Sequence, residues 1–377
     1  MTIRQHGPTD DQPPDASNDV YLSGRLWLLV GAVVMAVLIA LPVVWHRVER
    51  FEPADDFRIP YTLSDDYWLF GRWCGDIQAR RQTFVLGDSV VWGHYVSQGR
   101  TLSAELNRLA RGQRFANAGV DGIHPAAMAG LVSHHADGMR DANVVLHCNL
   151  LWMSSRRHDL RETKEFTFNH PRLVPQFFPS IACYRESAAG RMRNVVHRYV
   201  PAFQWAEHLQ MLYFDRSDVP AWTIEHPRED PLRRITLQVP SGRVAASSAG
   251  ESVPWTAKNI PPMDAAWVPL RESFQWEMFR RTVDALLSRD NRVFVVVGPF
   301  NEPMLTEDSR RRFRDAKNAA ATWLGRRGVP HFLCPPLPSD LYADASHPLA
   351  DGYAEMARRL WENADFAAFD GRKGATR

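Results

Sequence analysis

Neither sign of charge is in excess in this chain of 377 residues: 45 Lys and Arg stand against 43 Asp and Glu, a net charge of +2. A surface so balanced has no strong basic field, which argues against a nucleic-acid partner. Cysteine is scarce. Cys74, Cys148, Cys183 and Cys334 form no CxxC pair and no zinc spacing, and four are too few to staple a chain of this length. Internal repeats, a Walker loop, a dinucleotide fingerprint and HExxH are all absent. Nucleotide and metallopeptidase chemistry therefore have no support, and neither cofactor nor metal is expected. The chain is not low in complexity either: with 45% apolar and 11% aromatic residues it is expected to be globular for most of its length, as one large domain or two modest ones.

Long hydrophobic runs are missing too, with one exception. Residues 26–44, LWLLVGAVVMAVLIALPVV, carry no charge over 19 positions, and at about 1.5 Å per residue they span the roughly 30 Å of a hydrocarbon core. A transmembrane helix is expected over 25–45. A cleaved signal peptide is the rival reading, but the run exceeds a usual signal core and no small-x-small cleavage site precedes His46. Residues 1–24, rich in Pro, Asp, Gln and Ser, are expected to be a disordered tail. Residues 46–80 read as a juxtamembrane linker, and 81–377 as a folded domain.

Within that domain, short apolar runs at 84–86, 115–118, 144–146, 293–297 and 331–333 read as strands. Several are unbroken rather than alternating, as parallel strands covered on both faces tend to be. Helical spacing lies between them: Leu102, Leu106 and Leu109 before Gly112, then Phe274, Met278 and Leu286, then Tyr353, Met356 and Leu360. The alternation predicts an α/β fold with a parallel sheet sandwiched by helices. More than a hundred residues separate the third and fourth strands, so 150–270 reads as an insertion serving as lid, subdomain or partner surface.

The sharpest local feature is Gly87-Asp88-Ser89 at the end of the first strand. In an open parallel sheet, ligands bind beyond the carboxyl ends of the strands, where a serine nucleophile would be useful. A serine hydroxyl is inert until a base takes its proton. Asp344 and His347 supply a candidate, since an Asp three residues before a His can accept from its ring N–H and fix the tautomer. Asn117-Ala118-Gly119 and His147-Cys148-Asn149 follow the second and third strands. Gly119 N–H and the Asn149 amide are thereby brought to the same edge as candidate oxyanion donors. Singly, each residue has a plainer reading: an N-cap for Ser89, one of 14 histidines for His347, a turn glycine for Gly119, a strand-end cap for Asn149.

Together these four blocks resemble the SGNH, or GDSL-type, hydrolase family, which is named for Ser, Gly, Asn and His in this order. They stand here as GDSVVWG at 87–93, NAG at 117–119, HCN at 147–149 and DASH at 344–347. The likeness covers the sheet-forming parts of 81–149 and 291–365. It implies a flavodoxin-like three-layer α/β/α sandwich with Ser89 as nucleophile, His347 as base and Asp344 as its orienting acid. Ser89 N–H, Gly119 N–H and Asn149 would form the oxyanion hole. The third block departs from the pattern, reading His147-Cys148-Asn149-Leu150 where the family carries Gly-x-Asn-Asp.

The resemblance further implies an esterase or O-acyltransferase working through an acyl-serine, with an acylated small molecule or glycan as substrate. Membrane-anchored proteins similar in outline handle acyl groups on cell-surface polymers, as in alginate acetylation and teichoic-acid alanylation. Arg47, Arg50 and Arg58 after the apolar run outnumber Arg4 and Arg25 before it, which favours a cytoplasmic body. Long domains translocate largely regardless of such charges, and the analogy favours the N-terminus inside and the body outside. Two other readings remain: a non-catalytic scaffold of an envelope assembly, and an inward-facing lipid or small-ester hydrolase.

Four further features have bland readings. His134, His135 and Asp137 cannot converge on a metal from one helix and read as a solvated face. Arg156 and Arg157 read as a surface pair or an anion contact. Asn301 and Glu302 follow the fourth strand and are either substrate contacts or turn residues. Residues 195–214, rich in aromatics, read as core of the insertion or as a bilayer contact.

Overall fold

The computed structural model describes residues 23–241 and 252–372, so residues 1–22 of the expected disordered tail lie outside the described residues. The chain divides into two units, Met1–Arg47 and Val48–Arg377. Helix α1 (Gly24–Val48) makes up the described part of the first. At about 1.5 Å per residue its 25 residues reach roughly 37 Å, and it is long and apolar enough to cross a membrane.

The second unit is α/β. Helix α2 (Tyr67–Ala79) leads into β1 (Thr83–Gly87), short α3 (Ser89–Trp92) and α4 (Leu102–Ala110), then β2 (Phe115–Gly119), α5 (Pro125–His135) and β3 (Asn143–Cys148). The long connection that follows carries α6 (Ala188–Tyr199), α7 (Pro201–Tyr213), α8 (Val219–Glu225) and α9 (Pro231–Arg234). Then come α10 (Phe274–Leu287), β4 (Arg292–Val297), α11 (Glu307–Arg327), β5 (His331–Leu333), α12 (Ala350–Glu362) and α13 (Ala364–Phe369). The five strands pair in parallel in the order β2-β1-β3-β4-β5. All five lie where the apolar runs place them.

The strands are apolar at nearly every position because both faces are covered. Successive side chains point to opposite faces, so Phe84, Leu86, Val144, Leu146, Val295 and Val297 enter one core with Leu69, Leu131, Met278 and Phe313. Val85, Val145, Phe294 and Val296 enter another with Leu106, Tyr353, Met356, Leu360 and Phe366. Helices α2, α5, α10 and α11 thus pack on one side, and α4, α12 and α13 on the other.

Two expectations are corrected here. Residues 46–80 are no linker: from Val48 onward they belong to the α/β unit, and α2 buries Leu69, Phe70, Trp73, Cys74 and Ile77. Asp66 caps it by accepting Leu69 N–H at 2.9 Å. Arg58 also turns inward, stacks on Trp92 at 4.3 Å and donates to the carbonyls of Trp92, Gly93 and Val96, closing the C-terminal end of α3. Nor is the His134–His135 pair a solvated face. His135 is buried against Tyr67 at 5.1 Å between ring centroids. It lines a cavity of about 20 Å³ with Arg172 and Arg198, and its imidazole pKa is pushed down to about 3 by burial and by the neighbouring His134 and Arg198.

Candidate active site

The order of strands reverses between β1 and β3, each of which has neighbours leading to opposite edges of the sheet. A crevice forms beyond the carboxyl ends at such a point. Ser89 follows β1 directly and Asn149 follows β3. The turn between β1 and α3 is very tight: a Cβ at Gly87 would meet Val91 Cγ2 at 2.4 Å and His147 Cβ at 2.8 Å, so no larger residue fits. Asp88 then caps α3, its Oδ1 accepting Val90 N–H at 3.1 Å. Ser89, half-buried as the first helical residue, has a backbone N–H with no hydrogen-bond partner among the described residues.

Ser89, His347 and Asp344 form one hydrogen-bonded chain across 258 residues of sequence. His347 Nε2 lies 2.8 Å from Ser89 Oγ. His347 Nδ1 lies 2.8 Å from both Asp344 oxygens, and Asp344 Oδ1 also accepts the backbone N–H groups of Ser346 and His347 at 3.0 Å each. Burial alone would raise the Asp344 pKa, but the hydrogen bond and charge of His347 outweigh it and hold the carboxyl near 2. For His347 burial acts downward and Asp344 upward. The carboxylate prevails, with Asp88 and Asp121 adding to it, so the imidazole is more basic than usual. Tyr95 stands edge-on to His347 at 5.4 Å, and His94, held by Asp121 Oδ1 at 2.7 Å, lies 5.6 Å away between ring centroids.

Asp88 is the residue that sequence reasoning underrated. It is buried, and besides its cap it accepts from Asn149 Nδ2 at 2.8 Å, Trp152 Nε1 at 2.9 Å and His147 Nδ1 at 3.2 Å. Burial pushes its pKa up, yet these donors, His147 foremost, bring it down to about 2. The departure in the third block has a physical content here. His147 bridges Asp88 and the Gly298 carbonyl at 3.0 Å, tying the ends of β1, β3 and β4 together.

Of the expected oxyanion donors, the Asn149 amide is oriented by two partners: Oδ1 accepts Leu151 N–H at 3.0 Å and one N–H goes to Asp88. That leaves the second N–H of Nδ2. Gly119 differs from expectation. Its N–H donates to Asn117 Oδ1 at 3.0 Å, and its need for glycine comes from packing, since a Cβ there would meet Trp92 N at 2.4 Å. Asn301 and Glu302 do not face the crevice. Asn301 is fully buried and braces the acid loop, its Nδ2 donating to the Asp344 carbonyl at 3.3 Å and its N–H to that of Ala345 at 2.9 Å. Glu302 is buried and pairs with Arg314 at 3.1 Å. Arg157 lies over the Phe166 ring at 4.9 Å. Among the described residues no group of His, Cys, Asp and Glu could hold a metal ion.

The fold and this crevice define the protein at the level of an α/β chain with a Ser-His-Asp constellation at the carboxyl edge of a parallel sheet. No family model and no curated protein matches the chain.

Proposed function

We propose that the protein is a membrane-anchored serine esterase or O-acyltransferase of the SGNH type. It acts on O-acyl groups, acetyl foremost, of an envelope glycan or smaller ester. The fold is read as a flavodoxin-like three-layer sandwich, a reading supported by the strand order 2-1-3-4-5 and by helices on both faces. The observation that carries the functional reading is the chain Asp344–His347–Ser89, with 2.8 Å at each link.

In the reaction, Ser89 Oγ attacks the ester carbonyl while His347 Nε2 takes its proton. Asp344 holds the ring and stabilises the imidazolium. The oxyanion is met by Ser89 N–H and the second N–H of Asn149. Gly119 N–H, engaged by Asn117, has no part in the resting arrangement. His347 returns the proton to the leaving alcohol, and water or an acceptor hydroxyl then releases the acyl group by the same steps in reverse. The direct test is labelling of the full-length chain with a fluorophosphonate. Covalent modification mapped to Ser89, lost in His347→Ala, is expected. An unmodified Ser89 would overturn the reading and leave a binding platform.

Asn149→Ala is expected to lower kcat about 10²- to 10³-fold with little change in KM, because the donor acts on charge that develops only in the transition state. An effect confined to KM would move Asn149 from the oxyanion to substrate binding. The base must be neutral to accept a proton. Since His347 is more basic than a free imidazole, kcat/KM is expected to rise with pH along a limb centred above about 6.5. Asp344→Asn removes the cause and moves that midpoint down; a profile flat from pH 5 to 9 would exclude His347 as base.

For topology we place the N-terminus inside and the α/β unit outside the cytoplasm. A pair of C-terminal reporters, one active only after export and one only in the cytoplasm, tests this. A silent export reporter beside an active cytoplasmic one would remove the glycan and leave an inward-facing ester hydrolase.

A further inference from the structure

The apolar helix α1 ends at Val48, and two residues later the chain is pinned: Arg50 N–H donates to the Leu237 carbonyl at 2.9 Å, and Val239 N–H returns to Arg50 at 2.9 Å. At roughly 3.5 Å per residue, Arg50 lies no more than about 7 Å of chain from the end of the helix, and Leu237 is hydrogen-bonded to it. The segment that closes on Leu237 contains α8 and α9. Trp222 of α8 points inward, fully buried, packed against Phe214 at 5.5 Å and stacked on His226 at 4.4 Å. Ile224 follows two positions on, about 200° around the helix. It therefore faces away from that small core and is 80% exposed. Leu232 of α9 is 76% exposed, and Val219 and Leu237 are exposed between 37% and 40%. Four large apolar side chains in 19 residues thus face outward on a segment braced from within.

We infer that Ile224 and Leu232 dock into the interfacial zone of the bilayer that α1 spans. The inference rests on the membrane-anchored reading above. Residues 215–238 carry four Arg against five Asp and Glu. Attraction to anionic lipid is therefore not the force, and burial of apolar side chains at the headgroup boundary is. The bond from Arg50 to Leu237 argues for the bilayer as the occupant, because it ties the C-terminal end of the segment to the chain two residues past α1.

The test uses the full chain reconstituted in neutral phosphatidylcholine vesicles. Ile224→Cys and Leu232→Cys carry a bimane label, with Asp308→Cys on α11 as reference. The four native cysteines are buried and leave the label to the introduced thiol. The labels at 224 and 232 are expected to emit blue-shifted relative to 308, to be quenched at least twofold by brominated acyl chains, and to be indifferent to salt between 50 mM and 500 mM. Labels at 224 and 232 that match 308, in a chain that resists carbonate extraction, would overturn the docking and leave the anchor intact. A chain extracted by carbonate would overturn both. Labels shielded from aqueous quencher but untouched by brominated lipid would give the face to a protein partner and likewise overturn the inference.

Discussion

Ser89→Ala is expected to reduce hydrolysis of a short-chain aryl ester at least about a thousandfold while leaving the melting temperature within about 1 °C of the parent. The hydroxyl makes one side-chain hydrogen bond, to His347 Nε2, and Ser89 is half-buried, so its loss opens no core cavity. The backbone that Ser89 occupies is held by others: Asp88 caps α3, Gly87 and Gly119 admit the close turn, and Arg58 closes the far end. Because nucleophile and base act as a unit, Ser89→Ala combined with His347→Ala is expected to be no slower than either alone. Additive losses would show that the two residues serve different steps, and residual turnover above a thousandth of the parent would point to another nucleophile.

The parts of this fold that could be read from sequence are those whose cause is local. Unbroken runs such as Val293–Val297 mark a strand because both of its faces are covered, and the Asp-x-x-His spacing of Asp344 and His347 folds back on itself within one turn. Other features depend on partners far away in sequence. Helix α2 contains Gly71 and Gly75, which break a helical pattern on paper. Gly71 is needed because the His135 carbonyl comes within 3.0 Å of where its Cβ would be, a contact between α2 and α5 that no local window contains. Asp88 looks like a turn residue until Asn149 and Trp152, more than sixty positions on, bring their N–H groups to it. Gly119 shows the converse. Its place at the sheet edge was legible, but the direction of its N–H depends on the Asn117 side chain, whose own Nδ2 is fixed by the Val91 carbonyl at 2.9 Å.

Glu49→Ala is expected to be the most destabilising single substitution in the α/β unit outside its apolar core. Glu49 immediately follows α1 and its side chain is fully buried. It accepts from Arg72, from Tyr213 OH at 2.7 Å and from His208 Nε2 at 3.0 Å, while His208 Nδ1 donates to Asp66 Oδ2 at 2.7 Å. His208 is itself inaccessible, and burial works against its charge, yet the two carboxylates prevail and push its pKa up to about 9. Removing Glu49 takes from Arg72 its buried ion-pair partner and leaves His208 with Asp66 alone, a change of the kind that costs about 3–5 kcal/mol. For a unit of this size that is a fall in melting temperature on the order of 5 °C. Glu49→Gln keeps the shape and one acceptor and is expected to fall between the two. The pH dependence gives the same network a second signature. A histidine near 6.5 when unfolded and about 9 when folded contributes stability that is complete below pH 6.5 and is lost as pH rises through 9. The parent is therefore expected to lose melting temperature between pH 6.5 and 9.5, and Glu49→Ala to start lower and show a shallower decline. Equal slopes in the two proteins would mean that the charge on His208 does not depend on Glu49.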